Sequence, residues 1–277
     1  MNRQWTLARE PATAFPQLDD FRMVESPIPS PGAGQMLTRT IYLSLDPYQW
    51  GYTKGGGAYG AKANITPGDG SSPETVMHGR TVSQVVESNI EGFEPGDFVF
   101  NSNGWQEYGL TGEGITIWNY MRPRKLDPTV APISTAVGVL GMLGMTAWSG
   151  VKIQCDPQPG ETVVVSAASG GVGQCAGQIA KQLGARVVGI AGPAEKCAFA
   201  EDVLGFDACV SYRSESFPVD LAAACPDGCD VCASSPARRG PPPRSLRPGR
   251  SSAHPPRLKK LTRRPMCVRA VCATASP

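Results

Sequence analysis

One stretch of this chain constrains its fold more than any other. Thr162-Val163-Val164-Val165-Ser166 is an unbroken apolar run, followed at once by Ala168-Ser169-Gly170-Gly171-Val172-Gly173. A strand that is apolar on both faces needs cover on both faces, as parallel sheets packed between helices provide. After the glycines, Val172, Ala176, Ile179, Ala180 and Leu183 recur at helical spacing. Arg186-Val187-Val188-Gly189-Ile190 reads as a second buried strand and 194–204 as a second helix. Ala208-Cys209-Val210-Ser211-Tyr212 reads as a third strand, 217–224 as a third helix, and Cys229-Asp230-Val231 as the beginning of a fourth strand. Such a βαβαβαβ series predicts a parallel sheet with right-handed crossovers.

The turn between the first strand and the first helix carries the chemistry. Small residues at Ala167, Ala168, Ser169, Gly170, Gly171, Val172 and Gly173 let the backbone turn tightly and approach a pyrophosphate. The N–H groups and dipole of the helix that follows then hold the anion. Gly173 permits close helix–strand packing. The bland alternative is a glycine-rich turn with a packing role alone. The position of the motif, between a strand and a helix of one βαβ unit, favours the dinucleotide.

The end of the second strand selects the nucleotide. An NAD site places an acid there to bond the ribose 2′-hydroxyl. Here Ala191-Gly192-Pro193-Ala194-Glu195-Lys196 puts no acid at the strand end itself. Lys196, one turn into the next helix, would reach a 2′-phosphate, where charge-assisted bonds are strong. Tyr212, at the end of the third strand, lies on the same edge. These features predict NADPH as cofactor, against the alternative that Lys196 is an ordinary solvated lysine.

The first half of the chain reads differently. Met36-Leu37-Thr38-Arg39-Thr40-Ile41-Tyr42-Leu43, Thr81-Val82-Ser83-Gln84-Val85-Val86-Glu87 and Phe98-Val99-Phe100 are strand-like and broken by Gly and Pro. Residues 51–74 read as a loop. Residues 134–150, small and apolar, predict a buried helix. The domain reading is 1–125 β-rich, 126–231 nucleotide-binding and 232–277 a tail. No apolar run of eighteen residues occurs, and the N-terminus lacks a signal-peptide core, so a cytoplasmic protein with no membrane contact is expected. Nine cysteines, scattered, then read as reduced thiols. Cys225, Cys229 and Cys232 lie close together but have no matching second pair, and the chain has two histidines, so no metal site is expected.

At this point the residues resemble a known family. Val164 to Gly173, Gly177-Gln178-Ile179-Ala180-Lys181, Val187 to Gly192, Glu195-Lys196-Cys197 and Leu204-Gly205-Phe206-Asp207 are similar to the zinc-independent, medium-chain 2-alkenal and 15-oxoprostaglandin 13-reductases. So are Leu43-Ser44-Leu45-Asp46-Pro47-Tyr48, Gly104-Trp105-Gln106-Glu107-Tyr108 and Gly138-Val139-Leu140-Gly141-Met142. The resemblance covers about residues 2–231. It implies an α/β protein with a GroES-like β-rich N-terminal domain and a Rossmann domain, here incomplete. It implies NADPH-dependent reduction of the C=C bond of α,β-unsaturated aldehydes and ketones, with hydride passing to the β-carbon. The small-molecule enone or enal is the partner, and homodimers are common in the family.

The same resemblance suggests site residues. Pro47 and Tyr48 would border nicotinamide and substrate, with Tyr48 the hydroxyl that bonds the enolate oxygen, or else a tyrosine packed under the loop. Ala167 to Gly173 would hold the pyrophosphate, Gly192, Lys196 and Tyr212 the 2′-phosphate end, and Thr146 the nicotinamide side. Trp105 and Tyr108 read as core and pocket wall. The chain departs from the family at Gln49-Trp50, where Met-Arg is usual, and at Arg80, where a second glycine is usual.

Charge marks the largest departure. The formal net charge of +2 hides a split, because 11 of the 26 Lys and Arg and none of the 24 Asp and Glu lie in 232–277. That segment has nine prolines and no Phe, Trp, Tyr or Ile. It cannot bury enough apolar surface to offset chain entropy. It reads as coding sequence in the wrong frame or an unspliced intron, with a basic nucleic-acid-binding arm as the less favoured alternative. The expectation is a truncated sheet with weak or no turnover, and a non-catalytic nucleotide-binding remnant is the competing reading.

Overall fold

A computed structural model describes residues 1–10, 16–51, 53, 65–71, 75–115 and 122–233. Most of the predicted 51–74 loop, and the tail from 234 onward, lie outside the described residues. The chain divides into two compact units, Met1–Gly138 and a second that begins at Val139.

In the first unit, β1 (Asn2–Leu7) and β2 (Phe21–Ser26) form an antiparallel pair. The strands β3 (Gln35–Leu43), β4 (Thr81–Ser88), β5 (Phe98–Asn101), β6 (Tyr108–Gly112) and β7 (Arg124–Leu126) form an antiparallel sheet in the order β6-β3-β4-β5-β7. The alternation read from the sequence sorts its side chains between two faces. Met36, Val85 and Val99 pack with Ile90 and Phe93, while Val82, Phe100 and Ala136 pack with Leu126, Ile133 and Val137. This second cluster ties residues 133–137 to the sheet of the first unit. The 3-10 turn Ile133–Val137 is built into the core of the β sheet. One helical turn, α1 (Pro47–Gly51), follows β3.

In the second unit, β8 (Thr162–Ser166), β9 (Arg186–Ala191), β10 (Ala208–Ser211) and β11 (Val231–Ala233) are parallel, in the order β10-β9-β8-β11. Val163, Val165 and Val187 face the cluster that includes Ala176 and Ala180 of α3 (Gly171–Gln182) and Ala200 of α4 (Ala194–Asp202). Val164, Val188 and Ile190 face Phe217 and Leu221 of α5 (Phe217–Ala224). The unbroken apolar strand is therefore covered on both faces. The chain steps outward from β8 to β10 along one face, then returns under the other to place β11 beside β8. That reversal makes the carboxyl ends of β8 and β11 a topological switch point, where α/β sheets bind ligands.

Two boundaries differ from expectation. The single helix predicted over 134–150 is broken into the 3-10 turn, the short α2 (Met142–Trp148) and a π-helical segment Ser149–Cys155. Gly138 and Gly141 adopt non-helical angles between them, and the chain doubles back so tightly that a Cβ on Gly144 would lie 1.8 Å from the Val139 carbonyl oxygen. The fourth strand also continues past Val231, with Cys232 opposite Val164 and Ala233 opposite Val165. The abrupt change in charge composition is thus not the point where the strand stops.

Asp207, before β10, ties the layers together. Its carboxylate accepts from Lys181 Nζ at 2.9 and 3.0 Å and from the Val187 amide at 2.7 Å. Burial pushes its pKa up, but Lys181 and that amide outweigh burial and hold it below the usual carboxylate range. A carboxyl whose pKa is lowered by folding stabilises the fold above its ordinary pKa, and loses that contribution as pH falls through the lower folded value. Asp207→Asn should cost ~1–2 kcal/mol at neutral pH, as charge-assisted hydrogen bonds do. Urea unfolding of the two proteins at neutral pH and near pH 3 should show the difference shrink with acid.

Candidate nucleotide-binding site

The turn after β8 is shaped by its backbone. Ala167 has φ +48°, a left-handed conformation uncommon outside glycine. It reverses the chain, so that the Gly170 amide donates to the Ala167 carbonyl at 2.8 Å and the Ala168 amide donates to the Ile190 carbonyl at 3.0 Å. The Gln174 side-chain amide closes the loop from the helix side by donating to the Ser169 carbonyl at 2.8 Å, a contact the sequence reading did not foresee. A Cβ on Gly173 would lie 2.3 Å from the Ala167 carbonyl oxygen, so only glycine fits. Helix α3 thus starts directly against the strand end, as predicted for this position.

No side chain caps the start of α3. The first-turn N–H groups of a helix have no intrahelical acceptor. Ala167, Gly170 and Gly171 are exposed, Ser169 and Val172 half-buried, and Ala168 and Gly173 buried. The first-turn amides stand uncapped by any side chain at the positive end of a twelve-residue helix, with glycine at 170 and 171, where a Cβ on Gly171 would lie 2.6 Å from Leu143 Cδ1. It suits an anion that approaches the backbone closely.

The second set of predicted residues gathers one strand away on the same sheet edge. Gly192, buried, follows β9, and Tyr212, 49% exposed, follows β10. A Cβ on Gly192 would lie 2.9 Å from the Tyr212 hydroxyl, so the glycine makes room for the phenol. The Tyr212 amide donates to the Ala191 carbonyl at 3.0 Å, and the Ser211 hydroxyl donates to the Gly192 carbonyl. Ser211 is a second residue the sequence reading missed. A serine at the end of a short strand gives no signal of its own. Lys196 is exposed on the first turn of α4 and takes part in none of the ion pairs found among the described residues. Thr146 is exposed on α2, where its hydroxyl donates to the Met142 carbonyl at 2.6 Å.

Pro47 and Tyr48 belong to the first unit. Pro47 is exposed at the start of α1, and Tyr48 is half-buried. Tyr48 packs with Trp50 and Trp105 on the cluster of Leu7, Ile65 and Met77. Trp105, read from the sequence as core, stacks on Phe21 with ring centroids 5.7 Å apart and donates its indole N–H to Gln49 Oε1 at 3.3 Å. Gln49, where the family usually has Met, in turn donates to the Ser44 carbonyl at 2.7 Å. Arg80 is half-buried, and its carbonyl accepts from the Ser44 amide at 2.9 Å.

A cavity of about 320 Å³ also lies in the first unit, lined among others by Gln4, Val76, Met77, His78, Asn103 and Leu110. Tyr48 does not line it. Burial lowers the His78 pKa to about 4 from 6.5. Beside this cavity Asn101 and Asn103 centre a buried polar network. Asn101 Nδ2 donates to Thr38, Asn103 and Thr111 oxygens at 2.9–3.0 Å and Asn101 Oδ1 accepts from the Thr81 and Ser83 hydroxyls. Among the described residues no cluster of metal-ligating groups occurs, and no helix is long and apolar enough to cross a membrane.

Residues 3–117 match the family model described as the N-terminal domain of oxidoreductase, and 171–238 match the model described as zinc-binding dehydrogenase. The chain is 43% identical over 230 residues to the NADPH-dependent curcumin reductase of Escherichia coli (strain K12), covering 83% of this chain and 62% of that one. It is 37% identical over 227 residues to the NADP(+)-dependent 2-alkenal reductase of Nicotiana tabacum, covering 79% and 61%. Among solved structures, CurA of Vibrio vulnificus in complex with NADPH matches with a TM-score of 0.71 and 39% identity, over 83% of this chain and 64% of that one. The chain therefore spans a little over three fifths of the length of the relatives it matches.

Three substitutions test the packing of the turn and the ionisation of the buried histidine in the first unit. Gly173→Ala should destabilise the second unit by ~1–3 kcal/mol, the usual cost of overpacking. Gly150→Ala, whose Cβ meets nothing within 4 Å, should change stability by less than about 0.5 kcal/mol. Chemical denaturation of both variants checks this. His78 is the second case. A histidine whose pKa is lowered by folding leaves stability intact above its unfolded value and erodes it below that value. The melting temperature should therefore fall as pH drops from 6.5 towards 4, and His78→Gln should flatten that decline.

Proposed function

We propose, from the premise that the chain belongs to the medium-chain dehydrogenase/reductase family in its alkenal and enone reductase branch, that it holds NADPH and serves the reduction of conjugated C=C bonds. The premise rests on matches to both domains and on the alkenal and curcumin reductases among its relatives. One observation carries the cofactor reading. An uncapped helix start follows a left-handed turn at the switch point of a β10-β9-β8-β11 sheet, with alanine, serine and glycine at 167–171.

In this reading Ala167 to Gly173 bind the diphosphate through backbone N–H groups and the helix dipole. Gly192 and Tyr212 shape the pocket for the adenosine end, and Lys196 supplies the cation for the 2′-phosphate. Bound there, NADPH supplies the hydride that the β-carbon of the enone receives. Tyr48 is the proposed hydroxyl donor to the carbonyl oxygen, which gathers negative charge as the enolate forms. Pro47 and Thr146 are assigned to the nicotinamide side. The substrates are α,β-unsaturated aldehydes and ketones.

Titration with NADPH should quench intrinsic fluorescence and raise the melting temperature, because a ligand bound to the native state alone stabilises it. Lys196→Ala should weaken NADPH binding by about tenfold, ~1.4 kcal/mol, while leaving NADH binding unchanged. A chain whose melting temperature ignores NADPH at saturating concentration refutes the cofactor reading. Tyr48→Phe should lower kcat for an enone by about 10²-fold, the scale of one lost oxyanion donor, without moving the NADPH affinity.

A further inference from the structure

On the α5 face of the sheet three thiols meet. Cys225 follows α5, Cys229 lies in the next turn and Cys232 sits in β11, and all three pack in the cluster of Val164, Val188, Ile190, Phe217 and Leu221. The backbone there is fixed. The Gly228 amide donates to the Cys225 carbonyl at 2.9 Å, and Gly228 has φ +93°. Asp230 sits at a bend and grips the start of β8 twice. Its amide donates to the Thr162 carbonyl at 3.0 Å, and its carboxylate accepts from the Thr162 amide at 3.0 Å. Residues three apart in an extended strand point to opposite faces, yet Cys229 and Cys232 pack in the same cluster.

We propose that Cys229 and Cys232 form a redox-active dithiol, which closes to an intrachain disulfide when the protein meets a hydroperoxide. The two side chains are hydrogen-bonded to each other, and the Cys229 Sγ also contacts the Val231 carbonyl oxygen at 3.1 Å. The hydrogen bond from Cys232 lowers the Cys229 pKa against the opposing effect of burial. Burial raises Cys175 and Cys209, and pushes Cys225 up to about 11 with help from Cys229. The thiolate is the nucleophile, so Cys229 reacts first.

The reaction balances without any group beyond the peroxide. The Cys229 thiolate attacks one peroxide oxygen, breaks the O–O bond and becomes a sulfenic acid, while the other oxygen leaves as hydroxide or alkoxide. The Cys232 thiol then attacks the Cys229 sulfur and expels water. Two thiols are oxidised and one peroxide is reduced. A small dithiol reverses the bond by exchange. Cys232 lies opposite Val164 in β8, the strand that leads into the glycine turn, so the disulfide would form on the same sheet.

The full chain, treated with near-stoichiometric hydrogen peroxide, alkylated and digested with trypsin, decides the matter. Residues 214–238 form one peptide that contains Cys225, Cys229 and Cys232 and no other cysteine. The expected product is this peptide lighter by two hydrogens, with its single alkyl group on Cys225, and with the loss reversed by dithiothreitol before alkylation. Cys232→Ser should leave a sulfenic acid at Cys229 that dimedone traps, and Cys229→Ser should leave the peptide fully alkylated. Circular dichroism confirms that both variants fold. Alkylation of all three thiols after peroxide, a Cys225–Cys229 bond, or oxidation of Cys232 in Cys229→Ser each overturns the proposal.

Discussion

The second unit is organised around one close approach, that of Gly173 to the Ala167 carbonyl. A helix normally begins some distance beyond the strand it follows, because side chains keep the two backbones apart. Here the left-handed Ala167 folds the chain back, and the absent Cβ at Gly173 lets α3 begin against the end of β8. The same rule repeats along the element. A Cβ on Gly177 would lie 2.0 Å from the Phe206 ring, and one on Gly189 would meet Ala168, Cys209 and Phe206 near 3 Å. Phe206 is thus held between α3 and β9, and the helix cannot pull away from the sheet without uncovering it. Packing this tight leaves the helix start at a fixed place and direction, as a preorganised anion site requires.

Those close approaches explain how much could be read from the chain alone. The apolar run 162–166, the glycines after it and the alternation that follows are local patterns, and each one maps onto one element. The helix predicted over 134–150 failed for an equally local reason. Small apolar residues look helical, yet Gly138 and Gly141 supply backbone freedom that a composition argument does not weigh. Charge composition misled at the other end, since Cys232 and Ala233 are as compatible with a buried strand as Val231 and stay in the sheet.

What could not be read depends on partners far apart in sequence. Asn101 is bonded to Thr38, Thr81, Ser83, Asn103 and Thr111, drawn from three strands and a loop, and no spacing announces that set. Ser211 and Gln174 support the candidate site through backbone carbonyls, which any sequence offers everywhere. Tyr48 shows the opposite difficulty. The family resemblance singles it out as a pocket hydroxyl, and its half-buried packing on Leu7, Ile65 and Met77 fits the packed tyrosine that is its alternative. Packing and chemistry are separable here by the phenol oxygen alone, since Phe conserves the ring and removes the donor.

The reading of the nucleotide turns on the geometry of one helix turn. Glu195 and Lys196 are adjacent, and at first sight their charges cancel. Successive residues on a helix do not share a face, however, so a phosphate held on one side of α4 meets one of the two at close range. Gly192 lies just beyond the end of β9 on the same edge. It opens the edge between β9 and β10 to the Tyr212 ring, and the Ser211 hydroxyl fixes the carbonyl of the same glycine. The β9 end, Ala191-Gly192-Pro193, bears no carboxylate of the kind with which an NAD site bonds the ribose hydroxyls. The proposed preference for NADPH rests on Lys196, a cation exposed on the first turn of α4.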